Sequence, residues 1–263
     1  MILKTDEEIE KIKESCLLVS KTLAEVAKHL KVGVTGKEID EIAEAFILDH
    51  KAVPSFKGYR GFPATLCISP NHAVVHGIPN DIPFKDTDIV SIDCGVYFNG
   101  YHGDSAYTFA FVKAPQEAVS LMLTTKESLQ KGIDIVKAGV RTGDLGFEIQ
   151  EYCEKRGYSV VRELVGHGVG RNLHEPPDVP NFGRKGKGVV LKKNLVIAIE
   201  PMINMGKKEV VMDEDDWTII TKDKKLSAHF EHTICVGLDK SEALTTHKYI
   251  EEAVFSNNEL LNI

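Results

Sequence analysis

The chain has 263 residues, 43% of them hydrophobic and 27% charged, the balance of a globular protein with a sizeable core. A net charge of −7 gives no ground for DNA binding, and no apolar run reaches the roughly 18 residues that a membrane span needs. Five scattered cysteines (Cys16, Cys67, Cys94, Cys153, Cys235) and an acidic, amphipathic start (MILKTDEEIEKIKE) point to reduced thiols, no signal or transit peptide, and a cytoplasmic location.

Thr5-x-x-Glu8 is a capping box, and Ile9, Ile12, Cys16, Val19, Leu23, Val26 and Leu30 then recur at steps of three and four. This predicts one long amphipathic helix stopped by Gly33. Thr35-x-x-Glu38 opens a second helix to about His50, and residues 51–84, rich in Pro and Gly, read as loop and short strands. Asp88–Ala110 reads as two strands around the hairpin dipeptide Asn99-Gly100. Helices follow from Pro115 to about Lys137 and from about Thr142 to Arg156. Further strands are expected near Ser159–Leu164, Val189–Glu200, Trp217–Thr221 and Phe230–Val236.

The chain echoes itself. KVGVTG from Lys31 resembles KAGVRTG from Lys137, each between two helices, and DIVSIDCG (88–95) resembles NLVIAIEP (194–201). Both matches share an offset of about 106 residues, and the second is read as aligning Asp93 with Glu200. Taken alone, the first match is as well explained by chance; together they suggest a duplication. Halves of roughly 1–112 and 113–240, with a short tail, are expected to form one pseudo-symmetric α/β domain spanning residues 1–263, with a site at the junction.

With a two-residue turn at Asn99-Gly100, Asp93 faces Ala106, and Asp104 lies on the same face as Asp93. Such diagonal neighbours have Cβ atoms about 7–8 Å apart, so both carboxylates reach one point. Glu200 ends the apolar run Leu195–Ile199, and Glu231 lies in SAHFEHTICVG. Any one of these acids could be a solvated strand end; four of them in or beside apolar strands are not. Buried acids protonate or find a partner, and no matching set of buried Arg or Lys is visible, which leaves a divalent metal. VGHGVGRNLHEPP (165–177) adds His167 and His174 in a Gly/Pro-rich loop, and AVVHGIPND adds His76, a weak signal by itself. HEPP is not HExxH, because Pro176 and Pro177 break the helix that motif requires.

The order Asp93, Asp104, His167, Glu200, Glu231, with HGIP, DCGVYFNGYHGD, GHGVGRNLHEPP, IEP and FEHT, resembles the methionine aminopeptidases over essentially the whole chain. The resemblance implies the pita-bread α/β fold, with pseudo-twofold duplicated helix–helix–antiparallel-sheet halves around a dimetal site. Glu200 and Glu231 stand only 31 residues apart, without the large insertion of type II enzymes, and no Cys/His-rich N-terminal extension is present, so the chain resembles the short bacterial-style type I form.

By this resemblance Asp93 chelates one metal, Asp104 and Glu231 bridge two, and His167 with Glu200 completes the second. Four carboxylates then balance two divalent ions. A hydroxide bridging the two metals would attack the first peptide bond, with Glu200 shuttling protons, His174 stabilising the tetrahedral intermediate and His76 touching the scissile amide. The oxygen-rich set with one imidazole suits Mn2+, Fe2+ or Co2+ at least as well as Zn2+. The implied substrate is the N-terminal Met of nascent polypeptides and peptides with a small second residue. Phe56, Tyr59, Phe62, Cys67, Leu173 and Trp217 would form the thioether pocket; plain core packing is the alternative for each and an equal one for Phe56 and Leu173, which differ from the residues of well-known members. Lys207, Lys208, Lys222, Lys224 and Lys225 flank Trp217 in a surface hairpin, read either as a solvated loop or as a weak ribosome contact; a monomer is expected. Two rival readings are an X-Pro peptidase, disfavoured because only 92 residues precede Asp93, and a non-catalytic binding relative, disfavoured because all five ligands are present.

Overall fold

The computed structural model describes residues 1–263. Both capping boxes form. Thr5 Oγ1 accepts the Glu8 N–H at 3.2 Å while Glu8 Oε2 accepts the Thr5 N–H at 2.9 Å, opening α1 (Asp6–His29). Thr35 and Glu38 do the same for α2 (Gly36–Asp49). Short strands β1 (Val53–Pro54), β2 (Leu66–Pro70) and β3 (Ala73–Val75) follow. The long hairpin is β4 (Ile89–Phe98) and β5 (Tyr101–Ala110). Asn99 and Gly100 both have positive φ (50° and 88°), which the two-residue turn demands, and Asp93 pairs with Ala106 as the turn dictates.

The second half begins with α3 (Gln116–Ile135) and α4 (Thr142–Glu154). It continues through β6 (Ser159–Val160), β7 (Gly166–Gly168), β8 (Glu175–Val179), β9 (Val196–Ile199), β10 (Met202–Asn204), β11 (Val210–Met212), β12 (Ile219–Thr221), β13 (Ser227–His229), β14 (His232–Cys235) and β15 (Glu242–Ala243). The chain closes with α5 (Lys248–Phe255). All strand pairs are antiparallel. β4 carries β5 on one edge and β1 and β2 along the other; β15-β14-β9-β7-β8 forms the matching sheet of the second half. Smaller sheets are β13-β10-β6 and β11-β12-β3.

The two halves repeat one hydrogen-bond pattern. Gly33 N–H donates to Phe84 O, and Phe84 N–H donates to Val34 O; Gly139 N–H donates to Leu191 O, and Leu191 N–H donates to Val140 O. Gly33 (φ 89°) and Gly139 (φ 96°) occupy the same left-handed position, each just after a first helix. Thr35 bridges Pro83 as Arg141 bridges Val190. One apolar core of 48 residues runs through both halves.

Several strands are shorter than the apolar runs predict. Val189–Glu200 yields only β9, because Asn194 (φ 66°) turns the chain and Pro201 has no N–H to extend the ladder. Ser159–Leu164 yields only β6, and Trp217 sits in the turn before β12. Phe230–Val236 begins outside any strand, with Phe230 and Glu231 in the break between β13 and β14. The offset of 106 residues puts Asp93 opposite Ile199, so Glu200 enters the site from just past a strand end and not from a pleat position matching Asp93. α5 was not predicted; Ile250, Ala253 and Val254 carry it into the common core.

Candidate active site

Asp93 and Asp104 project from one face of β4 and β5, and Asp104 Oδ2 lies 3.8 Å from His167 Nε2 on β7. His167 sits in β7 between two glycines that admit the strand. A Cβ at Gly166 would lie 2.3 Å from Ala198 O, and one at Gly168 would lie 2.7 Å from Glu175 O. Ser105 Oγ donates to Glu231 O at 2.6 Å, Thr233 Oγ1 donates to Asp104 O at 2.8 Å, and Glu231 N–H donates to Ala106 O at 3.0 Å. These bonds stitch the two halves at the site.

The result is a cavity of about 210 Å³ lined by all thirteen residues singled out in the sequence: Asp93, Asp104, His167, Glu200, Glu231, His76, His174, Phe56, Tyr59, Phe62, Cys67, Leu173 and Trp217. One ligand atom each of Asp104, His167 and Glu231 lies within 4.8 Å of the others. Glu200 joins through His167, with Oε1 3.6 Å from Nε2, and Asp93 lies beside Asp104. His167 Nδ1 donates to Gly168 O at 2.9 Å, which turns Nε2 towards Asp104 Oδ2 (3.8 Å) and Glu200 Oε1 (3.6 Å).

Four acids in one small space are costly without a partner. Asp104 and Glu231 are 3% and 2% exposed. Burial, then the neighbouring Asp93, pushes Asp104 well above the carboxylate range. Burial, then Asp104, does the same to Glu231. Burial raises Asp93 and Glu200 to about 7, with His229 opposing the rise at Asp93 and His167 at Glu200. Asp93 Oδ1, Asp104 Oδ1 and Glu231 Oε1 are buried with no hydrogen-bond partner. The one cationic side chain lining the cavity, Arg60, is exposed. Orphaned carboxylate oxygens around an imidazole nitrogen fit a divalent cation.

The remaining lining divides by chemistry. His174 stacks on Tyr59 at 5.2 Å, with Nδ1 2.9 Å from the Tyr59 hydroxyl, and its ring lies 4.1 Å from that of His167. Loss of water, then His167 and Arg60, lowers its pKa; the ring still reaches solvent at the mouth, so the drop is smaller than a sealed site would give. Burial lowers His76 to about 4, which keeps it neutral. Phe62 meets Trp217 edge-on at 5.2 Å, and Phe56, Phe62, Cys67 and Leu173 form a compact apolar cluster. Burial holds the Cys67 thiol well above its usual pKa, so it packs as a small apolar group.

His229 went unnoticed in the sequence. It is 1% exposed, and its Nε2 lies 3.6 Å from Glu200 Oε2 with no hydrogen bond of its own. The signal was present in SAHFEHT, where His229 stands two residues before Glu231.

Residues 10–237 match the model of metallopeptidase family M24. The methionine aminopeptidase of Clostridium perfringens is 48% identical over 248 residues, covering 94% of this chain and 100% of that protein. The chain belongs to the methionine aminopeptidases of family M24. The crystal structure of methionine aminopeptidase from Rickettsia prowazekii superposes with a TM-score of 0.92 at 40% identity, over 94% of this chain and 100% of that one. The expected pita-bread fold of the methionine aminopeptidases is therefore present. Prolidase from Pyrococcus furiosus superposes with a TM-score of 0.77 at 24% identity over 93% of this chain but 65% of its own, a likeness of fold alone.

Proposed function

We propose that this methionine aminopeptidase family member removes the N-terminal methionine from nascent proteins and peptides with a small second residue, using two divalent ions. The observation that carries the reading is the convergence of Asp93, Asp104, His167, Glu200 and Glu231 on one cavity whose other wall is apolar and aromatic. Asp93 would hold one ion, His167 and Glu200 the other, and Asp104 and Glu231 both. Mn2+, Fe2+, Co2+ and Zn2+ all suit this donor set. When bound, the ions would supply Lewis acidity towards the scissile carbonyl and towards water.

The chain's own groups do the rest. Glu200, beside His167 at the cavity wall, is placed to take a proton from the attacking water on a carboxylate oxygen and pass it to the leaving nitrogen. Where the Tyr59 hydroxyl donates to His174 Nδ1, the imidazole carries its proton on Nε2 and can donate to the carbonyl oxygen as charge develops there. Neutral His76 contacts the scissile amide. Phe62 and Trp217 receive the thioether, with favourable sulfur–aromatic contact. The reading includes action in the cytoplasm as a monomer and a weak ribosome contact through Lys207, Lys208, Lys222, Lys224 and Lys225; unchanged ribosome cosedimentation after reversing those five charges would remove the contact.

The deciding experiment is hydrolysis of Met-Ala-Ser against Ala-Pro peptides, with Mn2+ or Co2+ and after chelation, alongside metal stoichiometry. Metal-dependent release of Met alone is expected. Cleavage of Ala-Pro would favour an X-Pro peptidase, and no cleavage of either would favour a binding protein.

A further inference from the structure

The loop that brings Leu173 and His174 to the cavity is held from behind. Lys4, ahead of α1, pairs Nζ with Glu175 Oε2, and the two side chains are 2% and 3% exposed. Glu175 Oε1 accepts the Asn172 N–H at 3.3 Å, so a single carboxylate ties the loop to the first residue of β8. The pair closes over Gly170, where a Cβ would come within 2.5 Å of both Lys4 Nζ and Glu175 Oε1. Lys4 is itself fixed, its N–H donating to Asn194 O at 2.8 Å and its carbonyl accepting Asn194 Nδ2 at 3.1 Å. A second fastening lies beside it. Arg171 Nη2 donates to Glu8 Oε1 at 3.1 Å with its guanidinium over the Tyr101 ring, and His102 N–H donates to Gly170 O at 2.8 Å.

Replacing a buried ion pair by an apolar pair of the same volume often costs no stability, so stability alone is a weak account of this one. Directional bonds on both carboxylate oxygens do something an apolar pair cannot: they select one loop geometry. We infer that Lys4 and Glu175 are positioning residues that fix the loop 170–175 and thereby hold His174 against Tyr59 and beside His167. The inference rests on the proposed aminopeptidase activity.

The test compares Lys4→Met with Lys4→Met/Glu175→Leu, in the full-length protein. In Lys4→Met, kcat on Met-Ala-Ser is expected to fall about 10–100-fold with KM changed less than about threefold, the mark of a displaced group that acts after binding. Hydrogen exchange of amides 169–175 in the metal-free protein is expected to speed up about tenfold, with α3 and α4 unchanged. The double variant is expected to regain the wild-type Tm without regaining kcat. Recovery of kcat together with Tm would overturn the inference, as would wild-type exchange in the loop. If Lys4→Met does not fold, the double variant alone decides by the same two readings. A wild-type protein that fails to cleave Met-Ala-Ser would instead sink the functional reading, while loop exchange would still report on the clamp.

Discussion

Gly103→Ala should destabilise the protein by about 2–4 kcal/mol and impair the site beside it. Gly103 lies on β5 where α1 crosses, one residue before Asp104. A Cβ there would meet Cys16 N at 2.5 Å, Ser15 C at 2.7 Å and Cys16 Cα at 2.8 Å, all backbone atoms of α1. Ordinary contact begins near 3.4 Å, so helix and strand must part by about 0.9 Å. No rotamer relieves this, because the obstacle is main chain. Parting also stretches the one hydroxyl hydrogen bond that Ser15 Oγ shares between Phe98 O (3.1 Å) and Tyr101 O (3.0 Å). Overpacking costs about 1–3 kcal/mol and weakened buried hydrogen bonds about 1 kcal/mol more. At about 2.1 cal/mol/K per residue, a chain of this length loses about 4–7 °C of Tm. Differential scanning calorimetry of the chelated protein measures it, and Met-peptide kinetics should show a lower kcat as Asp104 moves with the strand. Gly100→Ala is the control: nothing lies within 4 Å, and only the left-handed strain of about 1–2 kcal/mol should appear. A Gly103→Ala protein melting within about 1 °C of wild type would refute the argument.

Asp104→Ala should abolish metal-dependent Met release and reduce bound metal as measured by plasma mass spectrometry; near-normal turnover would contradict its shared-ligand role. Tyr59→Phe should lower kcat about tenfold with little change in KM, since it removes the hydroxyl on His174 Nδ1 while keeping the ring; an unchanged kcat would show that the hydrogen bond does not matter. Metal loading should raise Tm most at pH 7.5 and least at pH 5. Glu200 is raised from 4.5 to about 7, so its stabilisation of the metal-free fold is fully present below 4.5 and lost as pH rises through about 7. That amounts to a difference of about 3 kcal/mol for this group, and the four acids titrate as one network, so their contributions do not add. Parallel melting curves across that range, loaded and chelated, would contradict the buried-acid account.

Local signals were legible because local physics sets them. The capping boxes at Thr5 and Thr35 fix two helix starts whatever surrounds them, and Asn99-Gly100 fixes the hairpin register and hence the shared face of Asp93 and Asp104. The thirteen candidate residues reach one cavity, yet only the hairpin pair could be placed by register; Glu200, Glu231, His167, His174 and His76 stood out by their local patterns, and the six pocket residues through family likeness. Strand ends were misjudged where a single residue interrupts an apolar run, as Asn194 and Pro201 do around β9. α5 was missed because it has eight residues and no side-chain cap at His247. The Lys4–Glu175 pair was invisible for a different reason: its members are 171 positions apart, and a charge buried by tertiary packing looks in sequence like any surface charge.

The seam between the halves also sets an order of events during synthesis. The ribosome releases Asp93 and Asp104 long before Glu231, the last of the five converging residues, and α5, which packs on α1, comes later still. A chain interrupted before that point leaves Asp93 and Asp104 without Glu231, so the five-residue cluster cannot close. A catalyst whose proposed targets are other newly made proteins is thus switched on only when its own translation is nearly complete.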